Sequence, residues 1–128
     1  MDYENLRFTS EHEWVRVADG SDEVTIGITD FAAGELGDIV YVELPEVGKQ
    51  VAAGNSMGTI EAVKTVADLY APISGAITAV NGSLQDHPEL VNGSPYGDGW
   101  FVRLRPSEPG QIDGLLTHDV YRELIGDA

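Results

Sequence analysis

Short apolar stretches with polar positions between them dominate the chain, and this pattern predicts β-strands. Residues 24–28 alternate as a half-buried strand does, and residues 39–44 form a β-branched run that Pro45 ends. The tight turn formed by residues 62–65 joins two further runs into a hairpin. The remaining strand candidates are residues 56–61, 66–70, 75–80 and 100–104. Many short strands broken by glycine predict a mainly all-β fold, a flattened β-barrel or sandwich of two antiparallel sheets.

Helical patterns are confined to two places. Thr29 is a good cap for a short internal helix over residues 30–33, which would end near Gly34 or Gly37. Residues 114–125 carry apolar side chains near helical spacing, and the pattern stops at the glycine that follows. We therefore expect a short internal helix and a C-terminal helix at about 114–125.

Residues 81–99 are rich in Gly, Pro, Asn and Ser, but no linker flanks them. This composition predicts an ordered surface excursion rather than a domain boundary. The length of 128 residues is typical of one domain. We expect a single domain over residues 1–128.

Composition and charge narrow the classes of function. The chain has no cysteine, which excludes a disulfide framework, a thiolate zinc site and a cysteine nucleophile. Its 22 Asp and Glu outnumber its 7 Lys and Arg, so the net charge is −15. Such a surface repels phosphate, which argues against nucleic-acid partners and membrane docking. It would attract basic faces of other proteins, or it serves only solubility; composition leaves both open.

Targeting signals are also missing from the sequence. No apolar run approaches the roughly 20 residues that span a bilayer, and the acidic first five residues lack a basic n-region. We expect a bacterial cytoplasmic protein, or a mitochondrial matrix protein only if this is a mature imported form.

One lysine stands apart from the other basic residues. Only Lys49 and Lys64 are lysines, and Lys64 lies in the predicted hairpin turn. A lysine amine is a suitable nucleophile for covalent attachment, and an exposed hairpin tip is accessible to a modifying enzyme. A plain surface lysine is the competing interpretation, and position and scarcity alone leave the two balanced.

The residues around Lys64 resemble the lipoylation segment of the glycine cleavage system H protein family. The resemblance covers nearly the whole chain in four separated blocks in the right order, which is far more specific than a lone short motif. The matching residues are 8–9 with 12–15, 27–32 with 36–45, 58–75, and 88–92 with 95–97 and 99–100.

This resemblance implies a non-catalytic carrier. In the family, the lysine that matches Lys64 is joined by an amide bond to lipoic acid, as N6-lipoyllysine. The arm shuttles an aminomethyl group from glycine decarboxylase (P protein) to the aminomethyltransferase (T protein), and dihydrolipoyl dehydrogenase (L protein) reoxidises it. The cofactor supplies the chemistry, while the protein supplies attachment, orientation and docking. Lipoylating enzymes are further implied partners, and a monomer is expected because each partner must reach one arm in turn.

The resemblance also implies recognition residues for lipoylation. Glu61 and Gly75 match family positions associated with recognition by the lipoylating enzymes. For Gly75, a turn that requires positive φ is an alternative. Ala62 and Ala67 replace hydroxyl residues that are usual in the family, which affects the rate of modification rather than its kind.

A cleft for the arm is the next expectation. The loaded arm carries a primary amine, which is cationic at neutral pH and favours a nearby carboxylate. We expect the amine to meet Glu13 or Asp68, with His12 lining the same cleft and slowing loss of the load. The alternative for Glu13 is a solvated charge beside a structural Trp14.

Other carriers match less well. Biotin carriers flank their lysine with methionine, whereas Val63 and Thr65 flank Lys64 here. Lipoyl domains of 2-oxo acid dehydrogenases usually have aspartate in the place of Val63. An H-like lipoate relay remains open, because it needs the same lysine and arm.

Outside carrier proteins, two alternatives remain. A zinc hydrolase would need the histidines together, but His12, His87 and His118 lack the spacing of a helical His-Glu-x-x-His site, and no metal site is expected. A purely structural β-module explains the fold but leaves the match around Lys64 as a coincidence.

Overall fold

The computed structural model describes residues 4–18 and 20–126, so both ends of the expected 1–128 domain lie outside the described residues. The described part is mainly β, as predicted, with two antiparallel sheets and a few short helices. The strands are β1 (Leu6–Phe8), β2 (Glu13–Val17), β3 (Val24–Ile28), β4 (Ile39–Glu43), β5 (Gln50–Val51), β6 (Ser56–Ala62), β7 (Val66–Tyr70), β8 (Gly75–Val80) and β9 (Val102–Pro106).

The two sheets differ in size. The larger sheet has the strand order β1-β2-β3-β9-β8-β5, and the smaller has the order β4-β6-β7. In the smaller sheet, Glu61 on β6 lies opposite both Tyr41 on β4 and Val66 on β7. Strand β7 is an edge strand of that sheet, so its outer side pairs with no other strand.

The main core lies between the sheets. Strand alternation turns Ile26, Leu104 and Ile77 of the larger sheet inward, and each is at most 1% exposed. Ile60 and Leu69 of the smaller sheet pack in the same cluster. A second, smaller cluster lies around β1 and the C-terminal helix: Leu6, Phe8, Trp14 and Tyr121.

The internal helix forms where the sequence predicts it. Helix α1 (Asp30–Leu36) begins after Thr29, whose hydroxyl accepts a hydrogen bond from the Ala32 N–H. It ends at Gly37, the later of the two expected glycines, whose N–H donates to the Ala33 carbonyl. The predicted cap at Thr29 is therefore confirmed, and of the two expected stops the helix uses Gly37 and passes through Gly34.

The expected bounds of the C-terminal helix, about 114–125, are wrong at the start. Helix α4 spans His118–Leu124 and is capped by Thr117. Residues Pro109–Gly114 instead form a 3₁₀ helix. Leu116 pairs with Phe8 through backbone hydrogen bonds of 2.8 Å in both directions, so an apolar residue that fits the helical pattern serves the sheet edge instead.

Two other segments differ in detail from the predictions. The excursion at 81–99 holds two short helices, α2 (Ser83–Asp86) and α3 (Leu90–Gly93), which bury Leu84 and Val91. The final strand begins at Val102 rather than at 100, and it includes Pro106.

Candidate functional site

Lys64 is exposed at the tip of the β6–β7 hairpin. The Ala62 N–H donates to the Thr65 carbonyl at 2.8 Å, which closes the turn. The Val63 N–H donates to the Asp38 carbonyl at 3.0 Å and ties the tip to the segment that follows α1. Two exposed valines lie beside the lysine in the hairpin, Val63 at 76% and Val66 at 61% exposure. The turn therefore presents one amine on a braced support with an apolar rim.

The stem of Lys64 lies against the end of α1. A Cβ atom placed on Gly37 would be 3.5 Å from Lys64 Cε and 3.9 Å from Nζ. Gly37 itself has φ +78° and ψ −154°, a conformation that other residues rarely adopt. This glycine brings the helix end, the hairpin tip and the lysine side chain together.

A cleft of about 400 Å³ opens between α1, the start of β2 and the edge strand β7. Helix α1 provides part of its wall, including Glu35 and Leu36, which directly precede the glycine beneath Lys64. Apolar and acidic side chains share the lining: Ile28, Ala32, Leu36, Ile60, Val66, Ala67, Glu11, His12, Glu13, Glu35, Asp68 and Tyr70. The cleft thus combines an apolar wall with carboxylates along β7, the strand that leads away from the hairpin tip.

Glu13 is the buried carboxylate of this cleft, at 2% exposure. The Thr9 hydroxyl donates to its Oε1 at 2.6 Å, and the Tyr70 N–H donates to its Oε2 at 3.4 Å. Burial raises the pKa of Glu13 to about 7; the two hydrogen bonds oppose the rise and the charge of Glu11 adds to it. The alternative of a solvated charge beside Trp14 is therefore wrong.

His12 and Asp68 line the same cleft. His12 has φ +70°, the one left-handed non-glycine backbone among the described residues. Its Nδ1 lies 2.8 Å from the Tyr121 hydroxyl, and its ring lies 5.0 Å from the Phe31 ring, centroid to centroid. Asp68 is exposed and accepts a hydrogen bond of 3.4 Å from the Ser56 hydroxyl. The structure thus brings together the three residues that the sequence analysis assigned to the cleft.

The two residues expected in recognition lie in different sheets. Glu61 is half-buried on β6, three residues before Lys64. Gly75 begins β8 in the larger sheet, and a Cβ there would come within 2.3 Å of the Arg105 carbonyl oxygen. Its φ is not in the left-handed region, so the positive-φ turn considered for Gly75 is wrong. Close approach of β9 is what requires glycine at this position.

The sequence analysis missed several cleft residues that had a local signal. Tyr70 shares the period-2 face of β7 with Asp68 and Val66. Ala32 and Leu36 are four residues apart on α1, which places them on one helix face. Thr9 had no such signal, because its role follows from a turn that folds it back onto Glu13.

Residues 4–18 and 20–126 hold neither a candidate metal site nor a candidate membrane-spanning helix. No group of three or more His, Cys, Asp or Glu side chains is arranged to hold a metal ion. In the same part of the chain, no helix has the length and apolar character needed to cross a membrane.

Comparison with known proteins identifies similar sequences. The family model described as glycine cleavage H-protein matches residues 6–128. A glycine cleavage system H protein of Geobacillus kaustophilus is 54% identical over 122 residues, which are 95% of this chain and 94% of the relative. Another from Staphylococcus carnosus is 50% identical over 124 residues, 97% of each chain.

A solved structure agrees with these sequence matches. The crystal structure of a glycine cleavage system H protein from Mycobacterium marinum superposes with a TM-score of 0.88 at 41% sequence identity. The match covers 98% of this chain and 99% of that one. The shared architecture is a lipoyl-domain-like β-sandwich, which confirms the predicted fold class.

Proposed function

The chain belongs to the glycine cleavage H-protein family, and from that premise we propose that Lys64 bears the lipoyl group that the family carries. Family membership makes the chain a carrier subunit of glycine cleavage rather than an enzyme. The observation that carries the proposal for Lys64 is its exposure at a braced hairpin tip beside an acidic, partly apolar cleft.

The cleft residues fit such an arm. When attached, lipoic acid supplies a dithiolane that accepts an aminomethyl group and reducing equivalents. The hydrocarbon stem of the arm matches the apolar wall at Ile28, Leu36 and Ile60, whereas an amine at its end needs a carboxylate. Glu13 and Asp68 provide carboxylates at two depths, one buried and one exposed.

Glu13 is suited to hold a cation. No Lys or Arg of residues 4–18 or 20–126 forms a salt bridge with it, so its ionised form lacks a charged partner there. An ammonium that enters the cleft would favour the ionised carboxylate and would be favoured by it in return. Together with His12 along the wall, Glu13 would exclude water from the load and slow its hydrolysis.

The partner reactions belong to the same proposal. Glycine decarboxylase would load the arm, the aminomethyltransferase would unload it, and dihydrolipoyl dehydrogenase would reoxidise it. Tethering replaces diffusion by a high effective concentration at each of the three active sites. Support comes from the exposed tip, which each enzyme can reach in turn, and this favours a monomer. We place the protein in the bacterial cytoplasm, in line with its bacterial relatives.

We propose that the lipoylating enzymes recognise the side chains around the hairpin tip. Glu61 on β6, Val63 in the turn and Val66 at the start of β7 surround Lys64 and offer acidic and apolar contacts to the modifying enzyme. Gly75 would act indirectly, because its close contact with β9 fixes the strand that follows β7.

The proposal is tested by intact mass after expression with lipoate and a lipoate ligase. We expect one lipoyl increment on the parent protein, none on Lys64→Arg and an unchanged increment on Lys49→Arg. The last variant is the matched control, since Lys49 is the second of the two lysines. No increment on the parent, with a control substrate modified, would overturn the assignment, as would a biotin increment under matching biotin-ligase conditions.

Reconstitution then tests the role of the modified protein. With P, T and L proteins, the lipoylated parent should support release of CO₂ and ammonia from glycine, and Lys64→Arg should not. A lipoylated protein that fails here but donates its lipoyl group to another acceptor would be a relay.

A further inference from the structure

Tyr121 of the C-terminal helix contacts His12, a residue that lines the arm cleft. This residue is 2% exposed, and its ring stacks on Phe8 with centroids 4.8 Å apart and planes 10° from parallel. Its hydroxyl lies 2.8 Å from His12 Nδ1 and 2.8 Å from Thr29 Oγ1. A residue 109 positions from His12 in the sequence therefore contacts the wall of the cleft directly.

Which group donates in each of these hydrogen bonds follows from the acceptors that are available to the two hydroxyl protons. Thr29 is fully buried, and its Oγ1 already accepts the Ala32 N–H at 3.1 Å. If Thr29 donates to Tyr121 and Tyr121 donates to His12 Nδ1, both hydroxyl protons have an acceptor. In the opposite direction, the buried Thr29 proton has no acceptor among the described residues, which costs about 1–3 kcal/mol. The first arrangement is favoured, and it places the imidazole proton on Nε2.

The backbone of His12 is also constrained. Its φ of +70° is unfavourable for a residue with a Cβ, by about 1–2 kcal/mol. The His12 N–H donates to the Thr9 carbonyl at 3.1 Å, and its own carbonyl accepts the Thr29 N–H at 2.9 Å. Left-handed backbone held by surrounding contacts is common at functional sites, and here it immediately precedes the buried Glu13.

We propose that Tyr121 is a positioning residue for the arm cleft, whose hydroxyl holds the His12 ring in one orientation and one tautomer. The proposal rests on the proposed function, which assigns the cleft to the arm. A wall that is already ordered loses less conformational freedom when the arm docks, so the load is better protected. The C-terminal helix thereby becomes part of the carrier site.

The first test uses the protein without any modification on Lys64. Two-dimensional ¹H–¹⁵N NMR of the histidine rings should show His12 as a single tautomer with the proton on Nε2. Tyr121→Phe keeps the ring stack on Phe8 but removes the hydroxyl, and it should give averaged tautomers. Tyr96→Phe is the matched control, because it removes another tyrosine hydroxyl, which donates to Asp30 Oδ1 at 3.0 Å. An Nδ1–H or averaged signal in the parent would overturn the proposal even if Tyr121→Phe failed to fold.

The second test measures the lifetime of the aminomethyl load on the lipoylated protein. We expect Tyr121→Phe to shorten it about three- to ten-fold, the effect of losing one neutral hydrogen bond, and Tyr96→Phe to leave it unchanged. An altered tautomer with an unchanged lifetime would refute positioning while leaving the proposed function intact. A lifetime that is insensitive to Glu13→Gln would instead refute the assignment of the cleft to the arm, and this inference with it.

Discussion

Glu13 makes a measurable contribution to the pH dependence of stability. Its pKa is raised from 4.5 to about 7 in the folded protein, chiefly by burial. The folded protein therefore keeps this proton to higher pH than the unfolded chain does. The stabilisation that is present below pH 4.5 is lost as pH rises through about 7. From pH 5 to pH 8, we expect the free energy of unfolding of the parent to fall by about 2 kcal/mol more than that of Glu13→Gln. Urea unfolding at the two pH values measures this.

Glu11→Gln is the control for this experiment. Glu11 also lines the cleft and loses the same charge on substitution, but it is exposed. Its stability difference from the parent should therefore depend much less on pH. Parallel pH profiles for the parent and Glu13→Gln would contradict the burial of an ionisable group at this position.

At the residue scale, the sequence identifies Lys64 and the acidic and histidine candidates, but not their environments. The burial of Glu13 depends on Thr9 and on Tyr70, which is 57 residues away. The contact between His12 and Tyr121 joins opposite ends of the chain. Such contacts depend on how the sheets and helices pack against one another, which no local sequence pattern predicts.

The joint between α1 and β4 supports the hairpin tip. Gly37 has φ +78° and ψ −154°, and its carbonyl accepts a hydrogen bond of 2.9 Å from the Asn92 side chain. The next residue, Asp38, accepts the Val63 N–H through its carbonyl. We expect Gly37→Ala to lower the free energy of unfolding by about 1–3 kcal/mol because this backbone conformation disfavours a Cβ. Displacement of the tip should also slow lipoylation of Lys64, which intact mass against time measures.

Gly34→Ala in the same helix is the matched control. A Cβ at Gly34 meets no atom within 4 Å, and the residue lies inside α1 with ordinary helical φ. Alanine there should stabilise the protein by about 0.5–1 kcal/mol and leave lipoylation unchanged. Equal effects of the two substitutions would show that the conformation of Gly37 does not matter.

At the element scale, the sequence predicts the bounds of an element where a capping residue or a full apolar–polar alternation marks them. The start of α1 at its Thr29 cap and the bounds of β7 and β8 follow from the sequence. The start of α4 does not, because Leu116 fits the helical spacing but pairs with Phe8 in the fold. Helices α2 and α3 are four residues each, too short for a periodic pattern to predict.

At the scale of the whole molecule, the charge of −15 must act on partners or on solubility. Four carboxylates, Glu11, Glu13, Glu35 and Asp68, line the one cleft that runs along β7 from the hairpin. A negative electrostatic field around the hairpin and its cleft would steer partner enzymes that have a basic surface around their active site. Solubility alone would not depend on where the charges lie.

Salt and position together distinguish the two uses of this charge. If it steers docking, the rate of association of the lipoylated protein with glycine decarboxylase should fall roughly tenfold between about 50 mM and 500 mM salt. Asp38→Asn, beside the hairpin tip, should lower that rate at low salt by a larger factor than Asp113→Asn. Both aspartates are exposed, but Asp113 lies in the 3₁₀ helix whose Gln111 accepts the Ser74 N–H, beyond the opposite end of β7. Stopped-flow measurements of the association rate against salt would decide. Equal effects of the two substitutions would mean that net charge, and not the position of the charges, accounts for the steering. No effect of salt on the association rate would leave solubility as the role of the acidity.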